Sequence, residues 1–247
     1  MIRIRVRGFT LTEMAIVIAI VGLLMVSAMF TLSAQFEQRN FDETRRRLEA
    51  AQELLVSYAL VNGRLPCPGV ASGDESGGGA APCTSNYGGF LPARTIGFQI
   101  TDSSGFGLDA WGNRIRYAVS ATTWSAGNAR FTKSHVAGTT GAWSISQLPA
   151  DLVVCATSPA APAATVCDAN TSVTNQNTVV AIVLSIGKNG PTGGTGTNEA
   201  RNLDANQLFV SRRPDPSGAA GGEFDDMVVW IPVGQFYNRM IAGGVLP

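Results

Sequence analysis

Charge is scarce in this 247-residue sequence, where Asp, Glu, Lys and Arg together make up 15% of the chain. Basic and acidic residues balance at 18 each, and Arg3, Arg5 and Arg7 stand in the first eight residues, so the remainder is mildly acidic. That excludes the broad basic surface on which nucleic-acid binding ordinarily rests, and no nucleic-acid partner is predicted. Histidine is nearly missing: His135 is alone, in Lys133-Ser134-His135-Val136, with no partner pattern around it. Cys-x-x-Cys, His-Glu-x-x-His and Gly-x-Ser-x-Gly do not occur, and Gly193-Gly194-Thr195-Gly196 lacks the Gly-Lys-Ser/Thr ending of a phosphate loop. No acid–base pair can be nominated, and a non-enzymatic protein is expected. Proline is missing from the first 65 residues, and Gly22 is the only glycine between Phe9 and Val61, so nothing there interrupts a helix.

Glycine is frequent later, with 28 residues in all, which suits a loop-rich globular body of one sizeable domain. Four cysteines fall as two local pairs, Cys67 with Cys83 and Cys155 with Cys167, around segments rich in Gly, Pro, Ala and Ser. Four cysteines permit three pairings, and the sequence does not choose among them. Local pairing is the simplest, and each closed loop would then stabilise by about 3 kcal/mol. Disulfides place the chain in an oxidising compartment, outside the cytoplasm.

Met14 to Phe36 is a run of 23 residues without a charge. As a helix it measures roughly 35 Å, enough for a hydrocarbon core of about 30 Å. The arginines before it predict an N-in, C-out orientation, and no second run of this kind follows. A secretory signal peptide is the competing reading, because Val26-Ser27-Ala28 resembles a signal peptidase site and would free a chain starting at Met29. Against it stand the length of the apolar run and Glu13 at its head, since a carboxylate entering the bilayer costs about 2.5 kcal/mol or more.

Gly8-Phe9-Thr10-Leu11-Thr12-Glu13 followed by that run resembles the prepilin signal of type IV pilins and type II secretion pseudopilins. The resemblance implies cleavage after Gly8 by a prepilin peptidase that also methylates the new amino terminus on Phe9. It makes Glu13 an assembly residue and implies a bacterial inner-membrane precursor that passes into a pilus or pseudopilus. A carboxylate in lipid needs a cation, and the Phe9 amine of a neighbouring subunit is the nearest candidate. Such a pair would fix the stagger of subunits, because a slipped register leaves a buried charge unpaired.

Beyond Phe36 the helix becomes amphipathic: Leu48, Ala51, Leu55 and Tyr58 recur every three or four residues, with Leu54 and Val61 beside them. Asp42, Arg45, Arg46, Glu49 and Glu53 lie opposite, and Arg47 is the exception. Asn62-Gly63, followed by Pro66 and Pro68, predicts the helix stop. The expected organisation is a leader at 1–8, a membrane and filament-core helix half at 9–36, an amphipathic half at 37–62 and a periplasmic head at 63–247. The fold class is α+β, pilin-like, with a long N-terminal helix on a mostly antiparallel sheet and long pinned loops. Strands are predicted at 114–120, 129–134, 152–156, 178–186, 207–211 and 227–231 from their Val, Ile, Tyr and Trp content and turn-rich borders.

Asp109-Ala110-Trp111-Gly112-Asn113-Arg114-Ile115-Arg116-Tyr117 resembles a segment of the major pseudopilins, and physically it is a turn feeding a strand. Ser185-Ile186-Gly187-Lys188-Asn189-Gly190 with the later Phe224-Asp225-Asp226 resembles the parts that hold calcium in those proteins. The resemblance implies a structural calcium held by Asn189, Asp225 and Asp226. Glu199, Asn202 and Asp204 of the intervening loop are additional candidate oxygen donors. Calcium takes six to eight oxygens, several from carboxylates, and here Asn189 stands where an acid is expected. The competing reading is that Asp225 and Asp226 cap a turn before the last strand. The head is larger than a minimal filament subunit needs, which favours a minor or specialised subunit. A tip adhesin or DNA-uptake subunit is the rival, with contact through 69–82 or 158–177, although neither loop is basic or aromatic.

Overall fold

The computed structural model describes residues 10–78, 81–125, 128–129, 131–133, 150–161, 164–190, 197–216, 218–219 and 222–245, with backbone alone at 27–34, 124–125 and 128–129. The chain is α+β. It divides into two compact units, Met1–Asp42 and Glu43–Pro247.

The long helix α1 spans Leu11–Asn62, as the missing prolines predict. It starts at a capping box: the Glu13 N–H donates to Thr10 Oγ1 at 3.2 Å, and the Glu13 carboxylate accepts the Thr10 N–H at 2.9 Å. In the first unit, Leu11, Met14, Ile16 to Ile18, Leu23 and Leu24 are exposed. Among the described residues no helix is long and apolar enough to cross a membrane. The uncharged run expected to do so continues through 27–34, whose side chains lie outside the described set.

In the second unit Leu48, Ala51, Leu55, Val56 and Ala59 of α1 are buried, and Leu54 and Tyr58 pack beside them. Val61, expected on that stripe, is 84% exposed. Six residues after Leu55 it has turned about 120° off the face, so Ala59 takes the place it was given. Arg47 is explained by its partners: it pairs with Glu43 at 2.9 Å and donates to the Asp109 carbonyl at 2.6 Å. Gly63, at φ 64°, ends the helix with its N–H on the Ala59 carbonyl.

The main sheet has four antiparallel strands in the order β1 (Gly89–Phe90), β2 (Arg116–Val119), β6 (Val179–Ser185), β8 (Met227–Pro232). Thr123–Ser125 (β3) and Asn128–Ala129 (β4) form a hairpin, while Val153–Cys155 (β5) and Leu208–Val210 (β7) pair in parallel. Three short helices were not expected: α2 (Ala93–Ile96), α3 (Thr197–Leu203) and α4 (Val233–Ala242). Of the strand expected at 129–134, Ala129 lies in β4 and 131–133 form a turn, while 130 and 134 lie outside the described residues. Strand β6 is buried throughout because both faces are covered. Ala181 and Val183 enter the core shared by α1 and α4, and Ile182 and Leu184 enter a second core with Leu152, Val154 and Phe209.

Both disulfides are the local ones, Cys67–Cys83 and Cys155–Cys167, with Cα separations of 5.4 and 5.6 Å. The first loop is tied to the end of α1 by charge. Arg64 grips Glu75 with two hydrogen bonds of 2.6 and 2.7 Å, and the Tyr58 hydroxyl and Cys67 N–H donate to the same carboxylate. Burial alone would raise the Glu75 carboxyl, but Arg64 and these donors hold it below its ordinary value. Glu75→Gln removes the charge and strands Arg64, and is expected to destabilise by about 2 kcal/mol, read as a lower urea midpoint at pH 7. A depressed acid contributes above its unfolded value of about 4.3, so the difference from wild type closes as pH falls below about 4.

Candidate functional site

At the end of β6 the chain turns through Gly187, whose φ of 62° suits glycine. A Cβ at Gly187 would stand 2.5 Å from the Asp225 carbonyl oxygen, so the Asp225 backbone lies directly against the turn. The Asn189 N–H donates to Asp225 Oδ2 at 3.0 Å, and the Asn189 amide lies 3.0 and 3.1 Å from the two Glu199 oxygens. The Asp225 N–H donates to Glu199 Oε1 at 3.0 Å. Helix α3 supplies Glu199 and Asn202 from one face, being three residues apart. Asn202 donates to Asp226 Oδ2 at 2.7 Å and exchanges hydrogen bonds with the Val210 backbone, which fixes α3 on β7.

Glu199, Asp225 and Asp226 thereby each bring an oxygen within 4.8 Å of one another, and all three are buried. Burial pushes the Asp225 carboxyl up to about 6, with the Glu199 charge adding to the rise against the hydrogen bond from Asn189. Burial likewise raises Asp226 to about 7, helped by Glu199 and Asp225 and opposed by the Asn202 hydrogen bond and the Arg116 charge. Asp225 Oδ1 is buried without a hydrogen-bond partner. The site gathers negative charge that its own donors do not fully offset. Asp204 stands apart: it pairs with Arg201 at 2.9 Å and accepts the Asn206 N–H.

The turn is also joined to the Asp109–Asn113 segment. Asn113 donates from Nδ2 to the Gly187 carbonyl at 2.6 Å, and Ser185 Oγ donates to Asp109 Oδ2 at 2.6 Å. Asp109 Oδ1 accepts the Trp111 and Asn113 N–H groups, which folds the turn around a buried carboxylate. Trp111 of this turn is half-buried. In the sequence Asp109 and Asn113 belong to one motif and Ser185 to another, and the structure joins them. Gly8, Phe9, His135 and residues 193–196 lie outside the described residues. The Glu13 carboxylate caps its own helix, with a further hydrogen bond from the Thr10 hydroxyl at 2.8 Å.

Compared with known families, residues 3–29 match the prokaryotic N-terminal methylation motif, the signature of type IV pilins and pseudopilins. No curated protein and no solved structure matches the chain.

Proposed function

We propose that a chain carrying the N-terminal methylation signature of type IV pilins and pseudopilins, as this one does, is a prepilin: a structural subunit of a type IV pilus or type II secretion pseudopilus. The match over residues 3–29 carries the reading. It is cut after Gly8 by a prepilin peptidase, methylated on Phe9, and held in the bacterial inner membrane by the first half of α1, with its head in the periplasm. The exposed apolar side chains from Leu11 to Val26 support this, since they need a lipid or protein neighbour. Other subunits of the filament supply that neighbour on assembly, and the Phe9 amine of the next copy then takes the place of the Thr10 N–H on Glu13. The size of the head fits a minor or specialised subunit that does mechanical work.

Intact mass and fragment spectra of the protein from its native membrane test this. The expected mature chain begins with N-methylated Phe9. A chain beginning at Met29, as signal peptidase would leave it, sinks the proposal.

The acidic cluster fits a structural calcium. Its donors are hard oxygens, three carboxylates are gathered, and the partnerless Asp225 Oδ1 has capacity to spare. Glu199, Asp225 and Asp226 would hold the ion, with the Asn189 amide beside them. The ion would supply the positive charge that the cluster lacks. The chain's own part is to keep the turn at Gly187 and helix α3 close enough to share it.

A further inference from the structure

Between the acidic cluster and α1 runs a series of hydrogen bonds joined by short backbone links. Asp225 holds the Asn189 N–H at 3.0 Å, so the turn from Gly187 to Gly190 is set by the cluster. Within that turn the Gly187 carbonyl accepts Asn113 Nδ2 at 2.6 Å, and the Gly187 N–H donates to Ser185 Oγ at 3.2 Å. Both lead to Asp109, which accepts the Asn113 N–H on one carboxylate oxygen at 2.8 Å and the Ser185 hydroxyl on the other at 2.6 Å. From Asp109 the connection passes to the helix: its carbonyl accepts Arg47 at 2.6 Å, and the next residue, Ala110, donates its N–H to Thr44 Oγ1 at 3.1 Å. Asp109, Ser185 and Thr44 are fully buried or nearly so, so water offers no easy substitute for a lost bond.

We infer that Asn113 is a positioning residue that transmits the state of the acidic cluster to α1 at Thr44–Arg47, so that the hold on this helix segment tightens when the cluster is satisfied and loosens when it is not. Asn113 has this role because its backbone is fixed by Asp109 while its side chain reaches the turn. The hydrogen-bond series stands by itself; that a cation is what satisfies the cluster rests on the calcium reading. Coupling is reciprocal, so loosening the helix contacts loosens the turn.

Deuterium exchange on the full chain in detergent micelles tests the inference. Asp225→Ala, which releases the Asn189 N–H, is expected to speed exchange over 44–51 by about threefold or more. In an Asn113→Ala background the same substitution is expected to speed 44–51 much less, only the Ser185 route remaining, while still speeding 187–190. Should Asn113→Ala fail to fold, seen as lost protection across β6, Asn113→Ser replaces it. Arg47→Met is expected to speed exchange at 187–190. Equal effects of Asp225→Ala on 44–51 in both backgrounds, or none in either, overturn the inference. Calcium serves as a separate arm: if it protects no segment while Asp225→Ala acts as stated, the calcium reading fails and the relay stands.

Discussion

Gly187→Ala is expected to lower the melting temperature by about 10 °C and to dismantle the acidic cluster. Two penalties add at this position. At φ 62° an alanine occupies the left-handed region, which costs on the order of 1 kcal/mol. The new Cβ would also lie 2.2 Å from Asp225 Oδ1 and 2.5 Å from the Asp225 carbonyl oxygen. The side chain can rotate away but the backbone oxygen cannot, so the turn and the 224–226 segment must separate. Separation breaks the Asn189 to Asp225 hydrogen bond and leaves the buried Asp225 carboxylate without that donor. The sum is about 3 to 4 kcal/mol. Gly112→Ala isolates the first penalty, because Gly112 has φ 85° with nothing within 4 Å of the added Cβ. Thermal unfolding followed by circular dichroism on the two variants decides the matter. If Gly187→Ala loses no more than Gly112→Ala, the close approach of Asp225 to the turn is wrong.

How far the sequence revealed this arrangement depended on the range of the interactions. The α1 stripe of Leu48, Ala51 and Leu55 was legible because helical period is a local property. The apolar run of β6 was legible as a strand, though not that its two faces serve different cores, since that depends on what packs on each side. Helix α4 carries a readable spacing in Val233, Phe236, Tyr237 and Met240, all buried. Pro232 and Gly234 obscured it by looking like the end of the preceding strand. The acidic donors between 199 and 204 could be named but not sorted. Five residues turn a helix about 140° past a full circle, so Glu199 and Asp204 could not both face Asp225. Which one does so is decided by Asn202, whose contacts with Val210 and Asp226 are long-range and leave no local trace. The N-terminal signature is the opposite case, legible because it lies in one contiguous run of residues, 3–29.

With calcium chelated, the protein is expected to lose stability as pH rises from 5 to 7.5, the reverse of the Glu75 effect. Asp225 and Asp226 titrate at about 6 and about 7 in the folded chain, both raised chiefly by burial and then by neighbouring carboxylates. Unfolded aspartates titrate near 3.9, so between about pH 4 and pH 7 the folded chain binds more protons than the unfolded one. Stability therefore falls with rising pH across that window, and the whole penalty is present above about pH 7. Its size is on the order of 3 kcal/mol for the two groups together, because coupled carboxylates do not lose their protons independently. The Glu75 contribution is lost as pH falls below about 4 and so has the opposite slope, which separates the two effects along the pH axis. Calcium at about 10 mM is expected to reverse the loss at pH 7.5 and to stabilise much less at pH 5, where protons compete for the same oxygens. Magnesium at the same concentration should do less, since it is reluctant to shed water for an all-protein cage. Scanning calorimetry between pH 4.5 and 8, with chelator and with each ion, reads every term. A flat melting temperature in chelator would mean the three carboxylates are not mutually confined. An unchanged melting temperature with calcium at pH 7.5 would remove the ion from the account of the head while leaving the N-terminal reading intact.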